Sequence, residues 1–361
     1  MTSGVLAILG SGETAPGMTK IHRKLLKAIP DVRAVNLDTS YGFQLNVPQM
    51  SEKLEEYFST SLHVTMTTLH FPAYERASDI ERALFKQGVR DANFVFAGPG
   101  SPTYALAQWA PLHFGEDLLS VLDQGATLCI SSAASLTLGG YTAPIYEVYK
   151  VGDLSPRWRN GLGVLGYFGL NCAVIPHFDN AEGRNYDTRF CYLGEPRLLE
   201  LERQLPPEVA TLGVDEHTAV IFDFAEDQLR VEGRSNGYWR LGGESLTLEN
   251  GHSYDLDTLR RARPAPRAVA ADSNLNDRDP LIELAEAAAL KTDEGVAALA
   301  RLVQLASSSK EGFVDPAPLI DGLLQARQDL RDQGLFNVAD RLRDLLIDSG
   351  VEVQDTPSGA V

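Results

Sequence analysis

Short apolar runs that alternate with longer amphipathic stretches dominate the first 135 residues of this 361-residue chain. The apolar runs, rich in β-branched residues, are Val5–Leu9, Val32–Leu37, His63–Thr67, Asn93–Ala97 and Ala126–Ile130. The stretches with helical spacing between them are Lys20–Ala28, Gln49–Phe58, Asp79–Gly88 and Thr103–Trp109. This alternation predicts an α/β fold with a doubly wound, mostly parallel sheet that is covered by helices on both faces. In such sheets ligands bind beyond the carboxyl ends of the strands.

Further strands are expected after residue 170. The apolar runs are Cys172–Pro176, Ala210–Val214 and Ala219–Phe224, and Glu195–Arg203 between them has helical spacing. Leu229–Val231 and Gly237–Leu241 follow closely, as in hairpin strands at a sheet edge. We expect all of these strands to belong to the same sheet.

The composition changes at residues 260–276, which are rich in Ala, Arg and Pro. This composition predicts a linker. Four segments with helical spacing follow, namely Leu281–Leu290, Gly295–Ala306, Pro316–Asp332 and Asn337–Asp348. We therefore predict a large domain over residues 1–259, a linker over 260–276, and a small all-helical domain over 277–361.

The formal net charge of −17 argues against a protein that coats a nucleic-acid duplex, because such surfaces are basic. The three cysteines, Cys129, Cys172 and Cys191, cannot close a disulfide framework and lack metal-ligand spacing. No signal peptide or apolar stretch of membrane-spanning length is evident. We expect a cytoplasmic protein with no metal, no membrane partner and a homodimer as the default assembly.

A phosphate-binding loop is not indicated after the first strand. Gly10 and Gly12 begin a glycine-containing turn, but the following residues do not complete the dinucleotide pattern and there is no P-loop lysine. We therefore expect no cofactor.

A serine-rich turn, Ser131–Ser135, follows the predicted strand that ends at Ile130. Its small side chains permit the sharp strand-to-helix turn that lifts a nucleophilic hydroxyl off a sheet. The same residues would also suit the N-cap of an ordinary helix. Both interpretations remain open from this segment alone.

A second turn, Gly98-Pro99-Gly100-Ser101, follows the run Asn93–Ala97. Glycine allows a substrate close to the backbone, and a turn of this kind can present N–H groups to an oxyanion. Pro99 has no N–H, so Gly98 or Gly100 would be the donor. A plain strand–helix turn is the alternative.

His177 follows the run Cys172–Pro176, at the predicted ligand-binding edge. A histidine in this place can act as a general base if a carboxylate fixes its tautomer, and a hydrogen-bonded structural histidine is the alternative. Glu216, between two apolar runs, and Glu147 are the acidic candidates.

Together these segments resemble the dipeptidase E and cyanophycinase family of serine peptidases, which has the class I glutamine amidotransferase-like fold. The resemblance covers about residues 4–240. The family's G-x-S-A-G-A pattern aligns with Ile130–Ser135 and places the nucleophile at Ser132. Its histidine matches His177, and its Asp-Glu-Asn-Thr-Ala pattern matches Asp215–Ala219, which makes Glu216 the acid.

The resemblance implies a triad of Ser132, His177 and Glu216, with Gly98 and Ala133 as oxyanion donors. In the dipeptidase E branch the acid follows the nucleophile closely, where Glu147 lies here, so Glu147 is the alternative acid. A serine nucleophile argues against glutamine amidotransfer, whose usual nucleophile is a thiolate.

Four residues near these turns are expected to contact the substrate: Glu13, Gly100, Ser101 and Asp179. The chain departs from the family pattern at both glycines of the nucleophile turn, which are Ile130 and Ala134 here. The loop after His177 also differs, so the resemblance does not identify the substrate.

The C-terminal segment Phe336–Val361 resembles the end of cysteinyl-tRNA synthetases, where the unit helps to bind the anticodon region of tRNA. Residues 274–361 carry 8 Lys and Arg against 16 Asp and Glu, which gives a charge of −8. This charge disfavours tight phosphate binding and favours a helical module used for packing or protein contacts.

Two functions follow. The first is a serine hydrolase, a peptidase or amidase that cleaves a small peptide-like substrate through an acyl-enzyme. The second is an inactive binding or adaptor protein on the same fold, linked to tRNA through its C-terminal module; Ile130, Ala134 and the appended unit favour it.

Overall fold

A computed structural model describes residues 3–261, together with the backbone of Asp355–Thr356 and Gly359–Ala360. The chain divides into two units, Met1–Arg267 and Ala268–Val361. Within residues 3–261, no helix combines the length and the apolar character needed to cross a bilayer.

The strands of residues 3–261 are, in chain order, β1 (Val5–Leu9), β2 (Ala34–Leu37), β3 (Met66–Leu69), β4 (Phe94–Ala97), β5 (Thr127–Ser131), β6 (Tyr141–Thr142), β7 (Arg159–Asn160), β8 (Cys172–Ile175), β9 (Ala210–Val214), β10 (Thr218–Asp223), β11 (Gln228–Gly233), β12 (Gly237–Leu241), β13 (Glu244–Leu248) and β14 (Ser253–Asp255). The α-helices are α1 (Pro16–Lys27), α2 (Val47–Tyr57), α3 (Asp79–Asp91), α4 (Pro102–Trp109), α5 (Phe114–Asp123), α6 (Ser132–Ser135), α7 (Val164–Tyr167), α8 (Glu195–Gln204) and α9 (Leu256–Arg260).

The first sheet has eight strands in the order β14-β11-β10-β1-β5-β4-β2-β3. The five strands from β1 to β3 in that order run parallel, and β10, β11 and β14 complete one side as antiparallel strands. The α/β class and the parallel sheet predicted from the alternating pattern are confirmed.

Side-chain alternation along β1 explains why helices cover both faces of this sheet. Leu6 and Ile8 belong to one core cluster, which also contains residues of α3, α4 and α5. Ala7 and Leu9 belong to a second cluster with residues of α1 and α2. Because successive side chains of a strand point to opposite faces, a fully apolar strand needs cover on both sides.

The later strands form a second sheet in the order β13-β12-β9-β8-β6-β7, so the single sheet expected from the sequence is wrong. β8 lies between β6 and β9 and is parallel to both. Apolar periodicity identifies a strand but not its partner. Both sheets contribute to one core, since Val174 and Leu212 cluster with Leu6 and Ile8.

The predicted linker and C-terminal domain, 260–276 and 277–361, lie almost wholly outside the described residues. α9 ends at Arg260, close to the predicted boundary. Asp355–Thr356 and Gly359–Ala360 pair as antiparallel strands, so the segment is not helical at its end. Pro and Gly in that sequence are residue types that favour turns over helix. The likeness to a tRNA synthetase unit stays a prediction.

His22 on α1 is buried against Tyr57, Phe58 and Phe96, and its Nε2–H donates to the carbonyl oxygen of Glu13 at 2.8 Å. Burial lowers the pKa of His22 to about 4, although the Glu13 hydrogen bond opposes the shift. The residue is therefore neutral in the folded protein at neutral pH, and it protonates more readily in the unfolded chain.

We predict that the free energy of unfolding falls by about 2 kcal/mol between pH 7 and pH 5 because of His22, since the unfolded state takes up a proton that the folded state does not. Urea unfolding at both pH values measures the fall. His22→Gln keeps a donor but does not titrate, so it should show a pH dependence smaller by that amount. Equal pH dependence in the two proteins would contradict the assignment.

Candidate active site

Ser132 stands at the junction of β5 and α6, directly after a strand that is buried along its whole length. Its φ of +50° places it in the left-handed region, which costs a residue with a side chain about 1–2 kcal/mol. The hydroxyl of Ser135 donates to the Ser132 carbonyl oxygen at 2.7 Å. Ser132 remains partly exposed while its neighbours on both sides are buried. The turn therefore presents one hydroxyl to solvent.

Ile130 and Ala134, which replace the two glycines of the family pattern, both belong to the main core cluster. Ile130 is 3% exposed and Ala134 is fully buried. The Ala134 N–H donates to the Gly98 carbonyl oxygen at 3.3 Å, which ties the two turns together. Both side chains are accommodated in the core, so neither replacement obstructs the turn.

His177 lies between Ser132 and Glu216. Its Nε2 is 2.9 Å from Ser132 Oγ, and its Nδ1 is 2.7 Å from Glu216 Oε1. In the tautomer with hydrogen on Nδ1, the imidazole donates to the carboxylate and the serine hydroxyl donates to Nε2. The three residues expected from the sequence thus form one hydrogen-bonded chain.

Glu216 is held from two sides. Its backbone N–H donates to Asp179 Oδ1 at 2.7 Å, and Asn180 Nδ2 donates to its carboxylate at 3.1 Å. The hydrogen bond from His177 lowers the pKa of Glu216, with help from Asn180 and against the effect of burial. Glu216 is therefore a carboxylate at neutral pH.

Glu147, the alternative acid, lies at the start of a helical turn, Glu147–Val151. Its Oε2 is buried and has no hydrogen-bond partner among the described residues. The carboxylate in contact with His177 is that of Glu216.

Gly98 and Ala133, the expected oxyanion donors, lie on the two turns beside Ser132. The Gly98 carbonyl oxygen accepts from Ala134 N–H and from Ser40 Oγ, at 3.3 and 3.2 Å. A Cβ at Gly98 would lie 3.0 Å from the Phe96 ring. Ala133 is in the first turn of α6, where backbone N–H groups have no partner within the helix.

The four residues expected to contact substrate have structural partners. Asp179 supports the Glu216 backbone, as described above. Ser101 is 4% exposed and caps α4 by accepting from Tyr104 N–H at 3.2 Å, and its substrate contact stays a prediction. Gly100 has a φ of +137°, and a Cβ there would lie 1.9 Å from the Ser40 carbonyl oxygen. Glu13 is partly exposed and accepts from Ser131 Oγ at 3.1 Å.

Two residues near His177 were not singled out in the sequence. Asn180 is 1% exposed and donates to Glu216. The centroid of the Tyr192 ring lies 6.3 Å from that of the His177 ring and 4.3 Å from that of the Tyr149 ring. The two tyrosines therefore place aromatic surface beside the imidazole. The only signal for Asn180 and Tyr192 was their closeness to His177 in the chain.

Within residues 3–261, three carboxylates lie close enough together to hold a metal ion: Asp227, Asp255 and Asp257. Arg260 donates to Asp227 at 2.6 Å and to Asp257 at 3.3 Å. Its guanidinium already supplies the positive charge that these carboxylates need, so they form an ion-pair cluster at the start of α9.

Gly10 brings the two sheets together at the site. Its carbonyl oxygen accepts from His177 N–H at 3.2 Å, and its N–H donates to Thr218 O at 2.9 Å. A Cβ at Gly10 would lie 2.0 Å from the carbonyl oxygen of Asp215, the residue before Glu216. Only glycine fits this approach without movement of the backbone.

We predict that Gly10→Ala lowers the free energy of unfolding by about 2–4 kcal/mol, because the new methyl group meets backbone atoms that cannot move aside independently. Gly17→Ala is the matched control: its Cβ would meet nothing within 4 Å, and alanine favours helix α1. Urea unfolding of both variants checks the difference. A Gly10→Ala protein as stable as the wild type would refute the close approach.

Comparison with solved structures finds the crystal structure of a peptidase from an acI-B1 actinobacterium, with a TM-score of 0.56 and 20% identity over 70% of this chain and 97% of that chain. A putative peptidase E protein from Listeria monocytogenes EGD-e matches with a TM-score of 0.44 and 11% identity, over 64% of this chain and 99% of that one. No protein-family model matches the sequence. No curated protein matches it either. The likeness to the actinobacterial structure shows that this chain shares its fold.

Proposed function

We propose that the chain is a serine hydrolase, a peptidase or amidase that cleaves an amide bond in a small peptide-like substrate. The hydrogen-bonded chain from Ser132 through His177 to Glu216 carries the proposal, with distances of 2.9 and 2.7 Å. The shared fold with a protein described as a peptidase supports the same reaction class.

In the proposed mechanism Ser132 Oγ attacks the carbonyl carbon of the substrate while its proton passes to His177 Nε2. The C–N bond then breaks, and His177 gives this proton to the leaving amine. Water attacks the resulting ester, His177 takes a proton from it, and the carboxylic acid leaves as Ser132 regains its hydrogen.

Glu216 fixes the imidazole tautomer and stabilises the imidazolium that forms during each proton transfer. Its lowered pKa keeps the carboxylate charged for this role. Asp179 and Asn180 act as positioning residues, because they hold the backbone and the carboxylate of Glu216.

The N–H groups of Gly98 and Ala133 are proposed to stabilise the oxyanion of the tetrahedral intermediate. Ala134 N–H is engaged with the Gly98 carbonyl oxygen and is not a candidate. The left-handed backbone at Ser132 is consistent with its role as the nucleophile, since strained residues persist where the surrounding structure fixes a functional group.

Ile130 and Ala134 pack in the core beside an intact Ser132–His177 hydrogen bond, which supports a hydrolase over an inactive binding or adaptor protein. We also propose a reducing compartment, the cytoplasm. Cys129, Cys172 and Cys191 are all free and buried, and burial raises the pKa of each thiol. These cysteines serve as core residues rather than nucleophiles.

We predict that Ser132→Ala lowers kcat/KM by at least about 10⁴-fold, because the attacking oxygen is lost. Hydrolysis of a panel of di- to hexapeptides, followed by liquid chromatography, measures the effect, with Ser120→Ala as the control. A Ser132→Ala protein that retains full hydrolysis of every peptide the wild type cleaves would contradict the mechanism.

The two acids can be distinguished in the same assay. Glu216→Gln should lower kcat by about 10³–10⁴-fold, because the amide cannot stabilise the imidazolium. Glu147→Gln should leave kcat within about threefold of the wild type, because Glu147 makes no hydrogen bond to His177. The reverse order of effects would assign the acid to Glu147.

A further inference from the structure

A second carboxylate–histidine pair, Asp38 and His70, lies outside the triad. His70 Nδ1 is 2.5 Å from Asp38 Oδ2, and the Phe71 N–H donates to Asp38 Oδ1 at 2.9 Å. The Asp38 side chain is fully buried, whereas 64% of the His70 side chain is exposed. The carboxylate therefore orients an imidazole whose Nε2 is left free for solvent or a ligand.

This pair lies at the same sheet edge as the nucleophile. The neighbouring parallel strands β3, β2, β4 and β5 are followed directly by His70, Asp38, Gly98 and Ser132. Ser40, two residues after Asp38, donates to the carbonyl oxygens of Gly98 and Pro99. The four strand ends thus form one continuous row.

One arginine, Arg76, acts on Tyr104 near the far end of this row, where the Tyr104 hydroxyl donates to the Pro72 carbonyl oxygen. Burial raises the pKa of the Tyr104 phenol, while the charge of Arg76 opposes the rise and that of Asp38 adds to it, so both charges lie close to Tyr104. Arg76 is exposed. In a chain with a net charge of −17, a local cation and an oriented imidazole favour an anionic group of a ligand.

We propose that His70 in its imidazolium form, with Nδ1–H donating to Asp38, donates its Nε2–H to a carboxylate of the peptide substrate, aided by the charge of Arg76. This inference rests on the proposed hydrolase function. β3 and β5 are three strand spacings apart, about 14 Å. An extended peptide advances about 3.3–3.6 Å per residue, so a substrate of about four residues reaches from Ser132 to His70. A dipeptide bound at Ser132 is too short to reach His70.

The experiment measures peptide binding by calorimetry to the full-length Ser132→Ala protein, which cannot turn the peptides over. The probes are tetraalanine with a free C-terminal carboxylate, the same peptide as its C-terminal amide, an amide with glutamate as its last residue, and dialanine. We expect tetraalanine to bind about tenfold more tightly than its amide, and His70→Gln to abolish that difference. Dialanine should be insensitive to His70→Gln.

The peptide with a glutamate side chain assigns the source of the carboxylate: recovery of tight binding by this amide indicates an acidic side chain, and no recovery indicates the C-terminus. His63→Asn is the matched control, because His63 is exposed just before the opposite end of β3 and asparagine tolerates its left-handed backbone. It should leave all affinities unchanged.

Equal binding of tetraalanine and its amide, a difference that survives His70→Gln, or no binding of either peptide would overturn the proposed subsite. These outcomes are separate from failure of the hydrolase proposal, which is decided by hydrolysis in the wild type and its loss in Ser132→Ala.

Discussion

The close approach of Gly10 to the loops after β8 and β9 is the constraint on which the site depends. Ser132 belongs to the first sheet, whereas His177 and Glu216 follow strands of the second. The hydrogen bond from His177 N–H to Gly10 O, at 3.2 Å, joins the two sheets where these residues meet. Together with the bonds that the His177 carbonyl oxygen accepts from Asn180 and Cys191 N–H, it helps to fix the distance between the imidazole and the serine.

Backbone strain recurs at the same place. Ser132, His177 and His217 all have positive φ values, and each follows the end of a buried strand. Left-handed residues with side chains are unfavourable by about 1–2 kcal/mol each, so buried strands and hydrogen-bonded turns must compensate. Rigid strands that end in tight turns are a physical means of holding reactive side chains in one geometry.

Much of this arrangement could be predicted from the sequence, because it rests on local patterns. Apolar periodicity located the central strands, and the family resemblance then selected Ser132, His177 and Glu216 from the residues just after them. The division into two sheets could not be predicted, since strand partners depend on contacts distant in sequence. The role of Gly10 was equally hidden, because its need for glycine comes from Asp215.

The Asp38–His70 pair shows another limit of prediction from the sequence, which is the uncertainty of strand ends. The apolar run near β3 ends at Thr67, but the strand continues to Leu69, so His70 did not stand out as a residue at a strand end. Ser101 shows that one residue can satisfy two patterns: it follows a glycine-rich turn, where we expect a substrate contact, and it also caps α4.

The central claim is that His177, held by Glu216, activates Ser132 as a nucleophile. Its most direct test is reaction of the native protein with a fluorophosphonate, followed by mass-spectrometric mapping of the adduct. The account predicts a single adduct on Ser132, with a rate that falls by about 10³-fold or more in His177→Gln. An adduct on another residue, or labelling of Ser132 at the same rate in His177→Gln, would contradict it.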